Sequence, residues 1–294
     1  MQNKKILICG AGSIGIYLGV NLNSKNHDVK LFGRRKLKEI GEEIFIKDKK
    51  FKVPEKIFHL PRNEKFDFIF ITTKLYDLEK MVKLIRKNNV KGKLFAGIYN
   101  GLVDTSKYSK ILNQKIIPIT VFSGFGLSGN KLIVNPTPMG WVTENSSDGK
   151  KVSRLLLDAN VPCKSNKNFD FLRAEKTIVN CCLNALSAIE NKPFCDLFKN
   201  KKTRERIEKL FEECYNILSK QYKLKRKDKI KKRMFENWKN LKHYSSTCQD
   251  IRSGRKNEVK FFNGYIVELG KKYKIPAENN KKIMKEINLL AKKN

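Results

Sequence analysis

The chain has 294 residues, 40% of them hydrophobic, which is enough to bury the cores of two domains. Its 63 Lys and Arg against 29 Asp and Glu give a formal net charge of +34, so anionic partners are favoured. The 7 Cys include no Cys-x-x-Cys pair, and none of the 3 His lies near a cysteine in ligand spacing. Composition therefore argues against a metal site or a disulfide framework, and favours a reducing cytoplasm. We also expect no membrane span, because no stretch of about 18 apolar residues is uninterrupted.

The first half of the chain alternates between strand and helix patterns. A short apolar run at 5–9 predicts a parallel strand buried on both faces. Later strands are predicted at 29–32, 66–72, 94–98, 116–121, 131–134 and 140–143, with helices at 14–22 and 78–85. This alternation predicts an α/β fold whose N-terminal part is a Rossmann-type, doubly wound parallel sheet.

The second half carries helical periodicity instead. Apolar residues recur at helical spacing over 172–189, 207–218, 259–269 and 283–290. No strand is predicted after Val161. A polar stretch at 163–168 separates the two patterns, so we predict a Rossmann domain over 1–167 and an all-helical substrate and catalytic domain over 168–294.

A glycine-rich turn joins the first strand to the first helix. Its sequence is Gly10-Ala-Gly12-Ser13-Ile14-Gly15, which fits Gly-x-Gly-x-x-Gly. Such glycines permit a tight turn and a close backbone approach to a pyrophosphate, and the helix N-terminus supplies amide donors. The candidates for cofactor binding are therefore Gly10, Gly12, Ser13, Ile14 and Gly15. The alternative is a glycine turn that holds no ligand.

The end of the second predicted strand selects between the two nicotinamide dinucleotides. An acidic residue there binds the ribose hydroxyl of NAD, whereas this chain has Gly33-Arg34-Arg35. A guanidinium can pair with the 2′-phosphate of NADP through two parallel hydrogen bonds. The sequence therefore favours NADP, with Arg34 as the contact. The alternative is that these are two further cations in a cation-rich chain.

Two polar residues follow later strands of the predicted sheet. Lys74 comes after the strand at 66–72, and Asn100 comes after the strand at 94–98. In an open parallel sheet, residues just past the carboxyl ends of strands face the ligand crevice. Lys74 is thus predicted to meet the cofactor or substrate, and Asn100 the nicotinamide edge or the reacting oxygen. A solvated lysine and a turn residue are the alternatives.

An amine and two amides share one face of the predicted helix at 172–189. These are Lys176, Asn180 and Asn184, spaced four residues apart. Reduction of a ketone leaves an alkoxide, and a lysine can both stabilise that charge and donate the proton. Its pKa would have to fall from about 10.4 toward neutrality. An ordinary polar helix face is the alternative.

A further polar motif lies near the C-terminal end of the chain. Ser246 can donate a hydrogen bond to a substrate carboxylate. Glu258 can pair with Lys176 or hold a substrate hydroxyl. A carboxylate beside Lys176 would raise its pKa and oppose the effect of burial, and the sequence leaves open which effect wins.

Taken together, the chain resembles the ketopantoate reductase (2-dehydropantoate 2-reductase) family over essentially its whole length. The resemblance is carried by Lys74, Asn100-Gly101, Lys176-x3-Asn180-x3-Asn184 and Ser246-x2-Gln249-Asp250-Ile251-x6-Glu258. It implies a Rossmann domain, a helical domain, and NADPH-dependent reduction of 2-dehydropantoate to (R)-pantoate on the route to pantothenate and coenzyme A. It also implies Lys176 as proton donor, Lys74 and Asn100 at the nicotinamide end, and substrate contacts from Asn100, Asn180, Asn184, Ser246 and Glu258.

Two alternatives to this activity stay open. Where the family often has a substrate-side asparagine after a proline, Pro193 is followed by Phe194, so the substrate could be another branched 2-oxo acid. The basic run at 223–233 could instead mark a non-catalytic, RNA-binding derivative. That run has no interleaved aromatic residues for base stacking, which disfavours nucleic acid as a partner. We expect a monomer or a homodimer.

Overall fold

The computed structural model describes residues 2–33, 35–224 and 226–293, apart from the side chains of Arg35, Lys36 and Lys293. The chain divides into two compact units. The first comprises Met1–Asn100 and Asp104–Phe169, and the second comprises Gly101–Val103 and Asp170–Asn294. Thus the short segment that follows Asn100 belongs with the C-terminal part of the chain, which sequence boundaries alone do not reveal.

The first unit is built from twelve strands and five helices within the described residues. The strands are β1 Lys5–Cys9, β2 Asp28–Phe32, β3 Glu43–Ile46, β4 Lys49–Lys52, β5 Glu55–Ile57, β6 Lys65–Ile71, β7 Lys91–Ile98, β8 Ile116–Val121, β9 Gly124–Ser128, β10 Lys131–Asn135, β11 Trp141–Glu144 and β12 Cys163–Asn166. The helices are α1 Ser13–Asn23, α2 Arg35–Lys38, α3 Leu75–Lys87, α4 Ser106–Leu112 and α5 Ser147–Asp158.

The main sheet has the order β12-β11-β8-β7-β6-β1-β2-β5. The described pairings are parallel except that between β8 and β11. β1 lies inside the sheet between β6 and β2, and Ile6 to Cys9 are fully buried. An apolar run without alternation is what a strand covered on both faces requires. The predicted doubly wound sheet is therefore confirmed.

Several strands are absent from the sequence-based expectation. β3, β4, β9 and β10 form a small second sheet with the order β4-β3-β10-β9, and of these four strands the sequence predicted β10, at 131–134. β12 contradicts the expectation of no strand after Val161. It runs through Cys163-Lys-Ser-Asn166 at the edge of the main sheet, paired with β11 on one side. An edge strand tolerates polar residues because much of it faces water, so it carries no apolar pattern to detect.

The second half is helical, as predicted. Its helices are α6 Phe169–Val179, α7 Ala185–Ile189, α8 Phe194–Leu197, α9 Lys201–Leu218, α10 Lys227–Trp238, α11 Ser246–Arg252, α12 Val259–Tyr273 and α13 Glu278–Lys293. A π-helical segment, Asn180–Asn184, lies between α6 and α7. Among the described helices, none has both the length and the hydropathy needed to cross a membrane.

The basic run at 223–233 leads into α10. Ile230 and Met234 lie four residues apart on this helix and are buried, so the intervening cations lie on its outer faces. Several of these cations pair with acidic groups, among them Lys227 with Glu212 and Lys231 with Glu208. The run thus has the arrangement of a solvated amphipathic helix.

Candidate active site

The glycine turn of the first unit is held in a compact form. Gly10 has a φ of +133°, and its carbonyl accepts a hydrogen bond from Thr72 Oγ1 at 2.7 Å. A Cβ on Gly10 would lie 2.6 Å from that hydroxyl, and a Cβ on Gly15 would lie 1.8 Å from the Gly10 carbonyl oxygen. Only glycine fits at these two positions. A side chain would meet nearby atoms at both, and Gly10 also has a φ that residues with a side chain rarely adopt.

Gly12 differs from Gly10 and Gly15 because the space beside it is open. It is the N-cap of α1, with extended backbone and no side-chain capping bond. A Cβ placed there would meet nothing within 4 Å. Ser13 and Ile14, in the first turn of α1, are partly exposed. The helix therefore presents backbone donors and its positive dipole end to an open cradle, which fits a dinucleotide pyrophosphate.

Other candidate cofactor residues lie at the same edge of the sheet. Lys74 is the N-cap of α3, shortly after β6, and Asn100 follows β7. β1, β6 and β7 are adjacent and parallel, so their carboxyl ends share one edge with the glycine turn. At this edge the buried Thr73 hydroxyl has no hydrogen-bond partner among the described residues, and a polar ligand could supply one.

The predicted 2′-phosphate contact, Arg34, lies outside the described residues. The residue before it is described, and it approaches the glycine turn closely. A Cβ on Gly33 would lie 2.5 Å from the Cβ of Ala11. The end of β2 is therefore packed against the turn that would hold the pyrophosphate.

The second unit brings the amine and the two amides together. Asn180 and Asn184 are buried, and Asn184 Nδ2 donates to Asn180 Oδ1 at 3.3 Å. Asn180 Nδ2 is buried and has no acceptor within the described part of the chain. A buried amide donor without a partner is costly, and a ligand oxygen could supply the missing acceptor. Lys176 precedes them by one helical turn, in α6.

Lys176 carries the strongest electrostatic signal of the site. Burial lowers the pKa of its ammonium from the ordinary value to about 7, and the nearby Glu258 carboxylate opposes part of that shift. Glu258 is itself buried and forms the N-cap of α12. The effect of burial on the Lys176 pKa therefore outweighs that of the Glu258 carboxylate. With a pKa near neutrality, the lysine can both gain and lose a proton.

Ser246 is the first residue of α11 and is partly exposed. The residue before it, Ser245, is buried and caps that helix by accepting a hydrogen bond from Cys248 N at 3.0 Å. Asp250 lies inside α11 and pairs with Arg255 at 3.1 Å. The two adjacent serines thus have different positions, one capping the helix and one available to a substrate.

Arg173 is a residue of this unit that motif reasoning passed over. Its guanidinium donates to the carbonyl of Gly101 at 3.2 Å and lies 3.5 Å from that of Val103. Gly101 has a φ of +86°, and a Cβ there would lie 3.2 Å from the Phe262 ring. Arg173 therefore fixes the segment that directly follows Asn100. In the sequence, Gly101 is the residue that could have indicated a constrained segment after Asn100.

A Rossmann-type unit with an open glycine cradle and a helical unit with a low-pKa lysine fit an oxidoreductase. Two family descriptions match this chain: "Ketopantoate reductase PanE/ApbA" over residues 6–143 and "Ketopantoate reductase PanE/ApbA C terminal" over residues 168–291. The chain belongs to the ketopantoate reductase family.

Relatives of known name agree with this assignment. The chain is 26% identical to the 2-dehydropantoate 2-reductase of Aquifex aeolicus, with 96% of each chain covered. It is 28% identical to that of Pyrococcus abyssi, with 94% of each covered. Among solved structures, a PanE/ApbA family ketopantoate reductase from Ralstonia eutropha matches with a TM-score of 0.85 at 22% identity, over 98% of this chain and 99% of the other. A D-mandelate dehydrogenase solved with NADH and anilino(oxo)acetate also has a TM-score of 0.85, at 18% identity and with 98% and 99% covered. These two likenesses describe the fold.

Proposed function

We propose that this protein reduces 2-dehydropantoate to (R)-pantoate with NADPH, in the cytoplasm and as a step of pantothenate biosynthesis. The observation that carries the proposal is Lys176, whose pKa falls to about 7 in the same helical row as two buried amides. The names of the relatives supply the substrate, since those in Aquifex aeolicus and Pyrococcus abyssi are called 2-dehydropantoate 2-reductase.

The roles of the helical unit follow from its chemistry. The protonated Lys176 stabilises the developing alkoxide and donates the proton to it. Asn180 Nδ2, which lacks an acceptor among the described residues, donates to a substrate oxygen. Asn184 holds Asn180 in place at 3.3 Å and adds polar contact. We assign Ser246 to the substrate carboxylate, and Glu258 both to a substrate hydroxyl and to setting the pKa of Lys176.

The roles of the Rossmann unit concern the cofactor. When bound, NADPH supplies the hydride for the carbonyl carbon. Gly10, Gly12 and Gly15 shape the cradle for the pyrophosphate, beside the amides of Ser13 and Ile14. We assign Lys74 and Asn100, at the carboxyl edge of the sheet, to the nicotinamide end, with Asn100 also reaching the reacting oxygen.

The glycine cradle gives a prediction with an internal control. Gly12→Ala should cost the fold no more than about 1 kcal/mol, because the added methyl meets open space. It should nevertheless weaken NADPH binding, since the methyl fills the cradle. Gly15→Ala should destabilise the fold by about 1–3 kcal/mol, because its methyl meets a backbone oxygen. Urea unfolding and fluorescence titration with NADPH separate the two effects. Unimpaired NADPH binding by a folded Gly12→Ala protein would contradict the cradle.

Arg34 gives a prediction on cofactor choice. A lost charge-assisted pair is worth about 1.5–3 kcal/mol, so Arg34→Ala should weaken NADPH about 10- to 100-fold. NADH lacks the 2′-phosphate, so its dissociation constant should change little. Titrations with both cofactors test this, and Arg62→Ala, which replaces an arginine outside the predicted cofactor residues, is the control. Equal losses for NADPH and NADH would remove Arg34 from the 2′-phosphate.

The substrate is tested with a panel. Oxidation of NADPH, followed by its near-ultraviolet absorbance, is measured with 2-dehydropantoate and with other branched and aromatic 2-oxo acids, and NADH is tested in parallel. Fast turnover of 2-dehydropantoate alone is the expected result. Turnover of a different 2-oxo acid alone would overturn the substrate while keeping the reaction class.

One observation favours a different 2-oxo acid as the alternative substrate. Phe194 is buried and packs edge-to-face against Trp238, with ring centroids 4.9 Å apart. Phe194 stands where the family often has a substrate-side asparagine, so the hydrogen bond of that amide is missing here. A reductase of a related branched 2-oxo acid is thus the second candidate. An RNA-binding role has less support, because cations of the basic run pair with acidic residues of the same unit.

A further inference from the structure

The row of Lys176, Asn180 and Asn184 does not lie on a regular α-helix. Asn180–Asn184 is π-helical, and it is flanked by α6 and α7. On an α-helix, residues four apart differ by about 40° around the axis. A π-helical turn bonds to the fifth residue and is wider than an α-helical turn. The two amide side chains that it carries are in contact at 3.3 Å.

Side chains from two other helices hold the carbonyls of this wide turn. Asn263 Nδ2, on α12, donates to the Cys181 carbonyl at 3.1 Å. Ser245 Oγ, at the start of α11, donates to the Asn184 carbonyl at 2.7 Å. Asn263 and Ser245 are each 1% exposed, so water does not compete for these bonds. The π-helical segment is thus anchored near its beginning and at its end.

A second layer fixes the orientation of Asn263. Its Nδ2 also donates to Asn280 Oδ1 at 2.9 Å, and Asn280 Nδ2 donates in turn to Glu213 Oε2 at 2.9 Å. Asn280 is fully buried. A continuous line of side chains therefore runs from Glu213 on α9 through α13 and α12 to the backbone of the π-helical segment. A buried polar network with its members satisfied gives one well-defined geometry.

We propose that Asn263 is a positioning residue for the 2-oxo acid: it holds the wide turn that carries Asn180 and Asn184. The inference rests on the proposed function. None of its side-chain bonds described above goes to Lys176, which lies in α6 ahead of the wide turn. Asn263 should therefore govern how tightly the substrate is gripped, and leave the proton donor as it is.

The main test compares Asn263→Ala with Asn279→Ala. Asn279 also bonds Glu213, through its backbone N and its side chain, but it makes no described hydrogen bond to the π-helical segment. Asn263→Ala should raise the KM of the 2-oxo acid about tenfold, which is about 1.4 kcal/mol. The pH midpoint of kcat and the dissociation constant of NADPH should stay at their wild-type values. Asn279→Ala should keep the wild-type KM.

Two further measurements complement this comparison: the first uses variants of a different residue, and the second needs no turnover. Ser245→Ala should raise KM in the same direction, and Ser245→Thr, which keeps the hydroxyl, should restore it. Hydrogen exchange followed by mass spectrometry should show faster exchange of peptides covering 181–186 in Asn263→Ala and not in Asn279→Ala.

The outcomes separate the two proposals. A wild-type protein that reduced no 2-oxo acid would overturn the proposed function and this inference with it. An active wild-type protein with an unchanged KM in Asn263→Ala would overturn the positioning role alone. Equal KM increases in Asn263→Ala and Asn279→Ala would do the same, because they would indicate general loosening of the helical unit.

Discussion

Replacing Lys176 with methionine should lower kcat by a factor of about 10² to 10⁴, the usual range for loss of a general acid. The substitution keeps a long, flexible side chain and removes only the ammonium. NADPH binding should survive, because the glycine cradle lies in the other unit of the chain. Steady-state kinetics and an NADPH titration measure the two effects. Lys260→Met, at an exposed lysine of α12, is the matched control and should keep wild-type turnover.

A measurement of stability distinguishes this loss of turnover from a loss of folded protein. The folded-state pKa of Lys176 is about 7, below the unfolded value of about 10.4. Between these values the unfolded chain binds a proton that the folded protein releases, so stability rises with pH through this window. Methionine carries no such penalty, hence Lys176→Met should be at least as stable as wild type at neutral pH. An unchanged kcat in the folded variant would remove Lys176 from the mechanism.

Glu258→Gln should move the pH dependence of kcat toward acid. A general acid must be protonated, so kcat for the reduction should fall as pH rises through the pKa of Lys176, about 7. Glu258 raises that pKa by its negative charge, and removing the charge lowers the pKa further. At a pH above the wild-type midpoint, kcat of the variant should be lower by about tenfold.

The control for this shift is Glu268→Gln on the same helix, where the carboxylate is exposed. It should keep the wild-type midpoint. kcat must be taken at saturating 2-oxo acid, because Glu258 is also a proposed substrate contact. A Glu258→Gln midpoint at or above that of the wild type would show that Glu258 does not control Lys176.

The sheet of the first unit was predictable where its strands are buried on both faces. Ile6 to Cys9 form an unbroken apolar run, Ile116 to Val121 are apolar apart from Thr120, and both are interior strands in the structure. β12, and the strands β3, β4 and β9 of the small second sheet, were not predictable in this way. β12 carries Lys164 and Ser165 at an edge, where polar side chains face water and no period marks the strand.

The candidate site divides along similar lines. The alignment of Lys176, Asn180 and Asn184 follows from spacing alone, and so does the glycine cradle. The wide turn does not: the apolar spacing predicts one regular helix over 172–189, whereas Asn180–Asn184 is π-helical. The contribution of Asn263 depends on Asn280 and on Cys181, which lie far from it in sequence. The balance between burial and Glu258 at Lys176 likewise needs coordinates.

The most direct test of the account is to follow the hydride itself. Wild-type protein is incubated with 2-dehydropantoate and NADPH carrying deuterium at both C4 positions of the nicotinamide, and the product is analysed by mass spectrometry. We expect pantoate with one deuterium at C2, formed at the rate of NADPH oxidation. Recovery of unreduced 2-dehydropantoate, or of pantoate without deuterium, would contradict it.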